Sequence, residues 1–217
     1  MQSELPQNHL CNITLLGNLV NKPEIRYQVN PVIAIAEFVV ATHSKWFDKR
    51  TNQFKEWTHY HTIKMIGDVV ERSLLQAEKG DVILVQGHMV NSKKTNRELI
   101  HATYAHRYPK GYSRSINQLQ CSGKISSEIK LVNTENNKQL AELRLAINFY
   151  SFSPVTQELR SISVERTVHV WGKQAAYLKD NANVDDELII NGRLSYLKDA
   201  TKSQLIDAQD VILQKIN

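Results

Sequence analysis

At 217 residues and 24.9 kDa, with 41% apolar and 23% charged residues, the chain has the composition of a globular protein with two cores of about 100 residues each, not of a disordered or fibrous one. No apolar run approaches the roughly 18–20 residues of a membrane span, and the opening MQSELPQNHLCN lacks the basic and apolar regions of a signal peptide, so a cytoplasmic protein with no membrane partner is expected. The net charge is +5, a balance that suits nucleic acid as well as merely solvated faces. Residues 1–112 hold 14 Lys/Arg against 10 Asp/Glu and 7 of the 8 histidines, while 113–217 hold 13 against 12, so the first half is the more basic. Cys11 and Cys121 are far apart and show no C-x-x-C spacing, which gives no support to a disulfide framework or a zinc site.

In chain order, Asn12–Val20 reads as an apolar strand and Val32–Thr42 as a second, long one. A polar, aromatic loop follows from His43 to Trp57. From Thr58 to Ile66 the apolar and polar residues alternate, which puts Tyr60, Thr62, Lys64 and Ile66 on one face of a third strand. Asp68 then offers a helix N-cap, Val70, Leu74 and Ala77 recur at helical spacing, and Gly80 ends the segment. Asp81–Val90 and Glu98–Arg107 read as two further strands around the polar loop 91–97.

The same pattern returns about 105 positions later. AEFVVATHSKWF from Ala36 matches AELRLAINFYSF from Ala141; Gly67 pairs with Gly172, Gly87 with Gly192, and Gly17 with Gly123 at an offset one larger. Strands near 116–125, 139–150, 161–171, 187–196 and 203–213, with a helix near 173–180, complete the second copy. Five strands with one helix between the third and fourth is the order of a five-stranded Greek-key barrel. The fold class expected is therefore all-β, two tandem OB-fold domains, with a β-sandwich as the rival architecture. The division expected is an N-terminal extension 1–9, a first domain 10–107, a linker 108–115 with Pro109 and Gly111, and a second domain 116–217.

The loop HSKWFDKRTNQFKEW interleaves Lys45, Lys49, Arg50 and Lys55 with Trp46, Phe47, Phe54 and Trp57. Basic side chains follow phosphates and flat rings stack on unpaired bases, so such a loop suits a single strand better than a duplex. The competing account is a long hairpin whose rings pack its own base and whose charges are only solvated. Other chemistry finds little support. His59 and His61 lie two apart on a strand with His43 nearby, but without a third ligand at diagnostic spacing they read as a packed or hydrogen-bonded pair. The run Asp185, Asp186, Glu187 reads as a solvated turn, and no phosphate-loop, nucleophile-elbow or Rossmann glycine pattern is present, so no enzyme, metal or cofactor is expected.

The first copy resembles the bacterial single-stranded-DNA-binding protein family through NITLLGNLVNKPEIRY, ATHSKWFDKRTNQFKEWTHYHTIKMIGD and KGDVILVQGHM, collinear over about residues 10–107. The resemblance implies base stacking by Trp46 and by Tyr60, which stands where the family usually has tryptophan. It also shows departures: Ile66 replaces a stacking phenylalanine and Lys94 stands near a third tryptophan, leaving a larger share to Lys93, Lys94 and Arg97, with Lys64 also expected among the strand-binding residues. The second copy resembles the family through spacing and glycines, with Trp171 at the stacking position that Ile66 lost. Its ligand face would hold Trp171, His169, Arg144, Tyr150, Phe152 and Lys173, unless that barrel serves assembly instead.

The family's linker and acidic tip do not follow the last strand, DVILQKIN, so tail-dependent recruitment is not expected. In this the chain resembles the tailless primosomal replication protein B and tandem forms of the family. The function expected is sequence-independent binding of single-stranded DNA in replication, recombination or repair, with RNA as an alternative ligand. A nucleoid-associated homodimer carrying four barrels is the assembly implied. The alternative function is a replication-restart or recombination adaptor whose barrels chiefly bind partner proteins.

Overall fold

The computed structural model describes residues 8–111, 113–134 and 138–215. Residues 1–7 of the expected N-terminal extension and Tyr112 of the expected linker lie outside them. By contacts the described residues divide into one unit within 13–117 together with Pro154–Gln157, and another within 8–12, 118–153 and 158–215. In the latter unit the His9 N–H donates to the Asn148 carbonyl at 2.8 Å and the Ser122 N–H to the Leu10 carbonyl at 2.9 Å.

The first unit is built from β1 (Cys11–Leu19), β2 (Glu24–Gln28), β3 (Ile33–Asp48), β4 (Gln53–Ile66), α1 (Asp68–Leu74), β5 (Asp81–Asn91) and β6 (Glu98–Lys110). The strands run in the order β2-β3-β4-β6-β5-β1, and β1 closes back on β3. Period-2 alternation turns Leu15, Phe38, Val40, Ile63, Met65, Val85 and Ile100 into the barrel, all fully or almost fully buried. Val70 and Leu74 of α1 join them, with α1 packed on β3, β4 and β6. The second unit repeats the plan with β7 (Ile116–Ile125), β8 (Lys130–Asn133), β9 (Gln139–Ser153), β10 (Glu158–Trp171), α2 (Lys173–Asn181), β11 (Glu187–Tyr196) and β12 (Gln204–Gln214). Its order is β7-β11-β12-β10-β9-β8, closed by β7–β9, around Leu119, Leu145, Ile147, Val168, Val170, Ile190 and Ile206. Both units are OB-type barrels, in tandem.

Closure explains one of the repeated glycine pairs, Gly17 and Gly123. A Cβ on Gly17 would stand 2.2 Å from the Ala41 carbonyl oxygen, and one on Gly123 would stand 2.6 Å from that of Ala146. At both places the first strand of a barrel crosses the third at backbone contact, and only glycine fits.

Four expectations are corrected. Each barrel carries a sixth, short strand, β2 or β8, on the edge beside its long hairpin. The loop 43–57 is not a loop: β3 and β4 stay paired in unbroken register to Asp48↔Gln53. Only a short turn is left, and Asn52 in it adopts φ 52°, a left-handed conformation that asparagine tolerates. The first helix stops at Leu74 and its cap is Gly67 at φ 96°, not Asp68. Beyond it the chain tightens, with Ala77 N–H on the Leu74 carbonyl, and the Asp81 carboxylate takes the Glu78 N–H at 2.9 Å, so the helix does not reach Gly80. Finally, β6 runs through Tyr108–Lys110. Register passes from Val82↔Tyr108 to Asp81↔Lys110, which leaves Pro109 as the extra residue of a bulge, where a missing N–H costs no ladder bond.

Candidate nucleic-acid interface

The outward faces of the two long hairpins hold most of the aromatic side chains singled out from the sequence. In the first barrel the register pairs Ile35↔Ile66, Glu37↔Lys64, Val39↔Thr62, Ala41↔Tyr60, His43↔Thr58, Lys45↔Glu56 and Phe47↔Phe54. Paired residues share a face, and these are the positions that alternate with the core. Tyr60 is 58% exposed, because its neighbour across the ladder is an alanine too small to cover the ring. At the hairpin tip Phe47 meets Phe54 edge-on at 5.2 Å, and the Lys45 ammonium lies over the Phe54 ring at 5.2 Å.

Trp46, Lys55 and Trp57 lie on the other face. Their pairings, Trp46↔Lys55 and Ser44↔Trp57, continue the core-facing parity of Phe38 and Ile63 beyond the end of the barrel. Both indoles are 45% exposed. The sequence places Trp46 and Tyr60 in one stacking set, whereas the hairpin presents them back to back. Lys49 and Arg50 sit at the turn between the two faces.

Electrostatics divide the cations. Lys45 pairs with Glu56 at 3.1 Å, Lys55 with Asp48, and Arg97 with Glu37. The hydrogen bond from Lys55, then that from the Arg50 N–H, holds the Asp48 carboxyl down at about 2. Lys49, Lys64, Lys93 and Lys94 have no acidic side chain within ion-pairing distance among the described residues. The Arg97–Glu37 pair brings the β5–β6 turn against the outward face of β3. There Lys64, Lys94 and Arg97 line a groove of about 700 Å³ together with Asn21, Arg26 and Tyr27. Those last three come from β2 and the turn before it, and sequence reasoning missed them. The alternation of Ile25 and Tyr27 with Glu24, Arg26 and Gln28 was the available signal, too short and too polar to stand out.

In the second barrel the register gathers every predicted strand residue onto one face: Leu140↔Trp171, Glu142↔His169, Arg144↔Thr167, Tyr150↔Ser161 and Phe152↔Leu159. Trp171 is 42% exposed, and its indole N–H donates to Asp207 Oδ1 at 3.2 Å. Arg144 Nε donates to Glu165 Oε2 at 2.8 Å, and His169 Nε2 lies 3.1 Å from Glu142. Glu165 is held below the usual carboxylate range, first by the Ser126 hydroxyl and, after an opposing effect of burial, by Arg144. Lys173 opens α2, exposed, just past Gly172.

Among the three histidines read as a pair and its neighbour, His43 Nδ1 lies 2.9 Å from Thr58 Oγ1 and His61 is built into the core. His61 Nε2 lies 2.8 Å from Thr42 Oγ1, fully buried, and burial followed by the charge of His59 lowers its pKa to about 3. At the matching place in the second barrel Arg166 is buried, donating to Gln204 Oε1 and to the Glu165 carbonyl, both at 2.9 Å. No group of three or more potential metal ligands occurs among the described residues.

Comparison with known proteins agrees with this architecture. The model of the single-strand binding protein family matches residues 10–107 and again 116–216. The wild-type single-stranded DNA binding protein of Thermus aquaticus superposes with a TM-score of 0.77 at 20% identity, covering 97% of this chain and 96% of that one. PriB of Ralstonia solanacearum covers 45% of this chain and 96% of its own at 18% identity and a TM-score of 0.38. The Plasmodium falciparum SSB in complex with ssDNA covers 48% and 99% at 22% identity and a TM-score of 0.40. With two tandem matches that span most of its length, the chain belongs to the single-strand binding protein family.

Proposed function

We propose that this protein binds single-stranded DNA without sequence preference and acts by coating it, not by catalysis. The observation that carries this reading is the set of exposed rings on the two hairpins. Trp46, Phe47, Phe54, Trp57 and Tyr60 on one and Tyr150, Phe152 and Trp171 on the other are each 42% exposed or more. Exposed aromatics beside ammonium groups suit unpaired bases and their phosphates, and they offer a duplex no groove-reading element. Tyr60 and Trp46 would stack bases from opposite faces of the first hairpin, with Phe47, Phe54 and Trp57 extending each platform. Lys49, Arg50, Lys64, Lys93 and Lys94 would follow the phosphates, with Arg97 joining them by giving up Glu37. Lys45 and Lys55 would join them by exchanging a carboxylate for a phosphate.

A homodimer, which would supply four barrels, is the assembly this reading favours. Light scattering tests it: about twice 24.9 kDa supports the dimer, and the monomer mass rejects it. The binding itself is tested by competition between labelled poly-dT and unlabelled duplex or RNA of equal length. Displacement by poly-dT but not by duplex is expected; equal competition by duplex would reject the reading, and stronger competition by RNA would reassign the ligand.

A further inference from the structure

The two barrels differ in the row of residues that crosses their outward faces. In the first, register aligns Glu37, Lys64, His101 and a buried His88 across β3, β4, β6 and β5. In the second, the corresponding row across β9, β10, β12 and β11 is Glu142, His169, Asp207 and Arg193. A carboxylate at Asp207 thus stands where the first barrel has the imidazole of His101. Asp207 Oδ2 accepts from Arg193 Nε at 2.8 Å, and Oδ1 accepts from the Trp171 indole. Around it Glu165 engages Arg144 and Ser126, Glu142 engages His169, and Asp210 accepts from Gln174 at 2.8 Å. Arg144, His169 and Arg193 each engage a carboxylate, whereas on the first barrel Lys64 stands across the ladder from a Glu37 already taken by Arg97, and neither Lys64 nor Lys94 makes an ion pair among the described residues.

We propose that the second barrel takes a single strand by its bases and not by its phosphates, and that Asp207 sets this difference. This rests on the single-strand-binding reading. A phosphate brought to this face meets Asp207 and Glu165, like charges that hold the nearby guanidinium groups to themselves. The bond from the indole N–H to Asp207 meanwhile fixes Trp171 by one edge. Stacking on Trp171, Tyr150 and Phe152 then releases few counterions, and the salt dependence of binding arises on the first barrel.

The test is a salt series of poly-dT affinity for the full chain and for Asp207→Asn, Glu165→Gln, Lys64→Ala and Trp171→Ala. Asp207→Asn keeps the side-chain shape and an acceptor oxygen. It is expected to raise affinity several-fold at low salt and to steepen the slope of log K against log salt by about 0.7, the value for one more phosphate contact on a single strand. Glu165→Gln, which frees Arg144, is expected to act in the same direction. Lys64→Ala should flatten the slope, and Trp171→Ala should lower affinity with the slope unchanged. Wild-type affinity and slope in both carboxylate variants, or a flattened slope in Trp171→Ala, overturns the proposal alone. Failure of the wild-type chain to bind the strand overturns the reading beneath it.

Discussion

At the scale of single residues, Trp46 and Tyr60 carry the functional argument and His61 carries a stability one. Each ring offered to a base is worth about 1–3 kcal/mol, so Trp46→Ala and Tyr60→Ala are each expected to cost that much in poly-dT affinity. Because register puts them on opposite faces of the hairpin without contact, the double variant should lose the sum to within about 0.5 kcal/mol. Equilibrium titration of the three variants checks this, and a double loss no larger than the greater single loss would place both rings in one stack. For His61 the folded pKa of about 3 lies below the ordinary 6.5. The unfolded chain therefore binds the proton first, and stability falls as pH drops from about 6.5 toward about 3. His88, lowered to about 4 by burial and then His101, acts in the same sense. Between pH 7 and pH 5 the loss from His61 alone approaches about 2 kcal/mol, and His61→Gln, which keeps a partner for Thr42, is expected to remove that part. Urea unfolding at both pH values tests it. The rings were legible in the sequence because four of them interrupt a polar stretch. Their faces were not, since parity depends on a register the sequence does not print, and neither were the carboxylates that meet Arg144 and Lys55, which arrive from neighbouring strands.

At the scale of elements, the long hairpins decide what the barrels can present. The stretch 43–57 read as a loop because neither of its faces is buried, which removes the hydrophobic alternation that marks a half-buried strand. It is a strand nonetheless, since each arm satisfies its backbone groups on the other all the way to Asp48↔Gln53. β2 and β8 escaped for the same reason: their residues are almost all exposed. The core strands were readable from alternation, and the glycines from their recurrence, though the cause of that recurrence emerges only in the closed barrel. Gly17→Ala should force the β1–β3 crossing apart, because its new Cβ would fall inside the Ala41 carbonyl contact. A loss of more than about 1 kcal/mol is expected, with Gly123→Ala a milder version in the second barrel, where the approach is 2.6 Å instead of 2.2 Å. Thermal unfolding of both variants measures it, and wild-type midpoints would show that the crossing can open freely.

At the scale of the whole molecule, an offset of about 105 residues in the sequence became two barrels of one plan whose outward faces have diverged. The duplication was legible because glycines and core apolars repeat with the fold, and those positions answer to packing. The divergence was harder to read. Positions 61 and 166, and 101 and 207, are counterparts by nearly the same offset, but what each one meets depends on the strands paired beside it, and there the chain exchanges imidazole for carboxylate and a neutral buried histidine for a buried arginine. Exposed rings and lysines without an ion pair serve an unpaired strand. All three tryptophans, Trp46, Trp57 and Trp171, lie on the two hairpins and are exposed, so their fluorescence reports directly on stacking. The decisive measurement is that fluorescence during titration with poly-dT of about 35 nucleotides, longer than two barrels at up to about 16 each, beside a matched duplex, at low and high salt. Saturable quenching by the single strand alone, weakened by salt, is predicted. Unchanged fluorescence and no binding to the single strand at low salt would contradict the account.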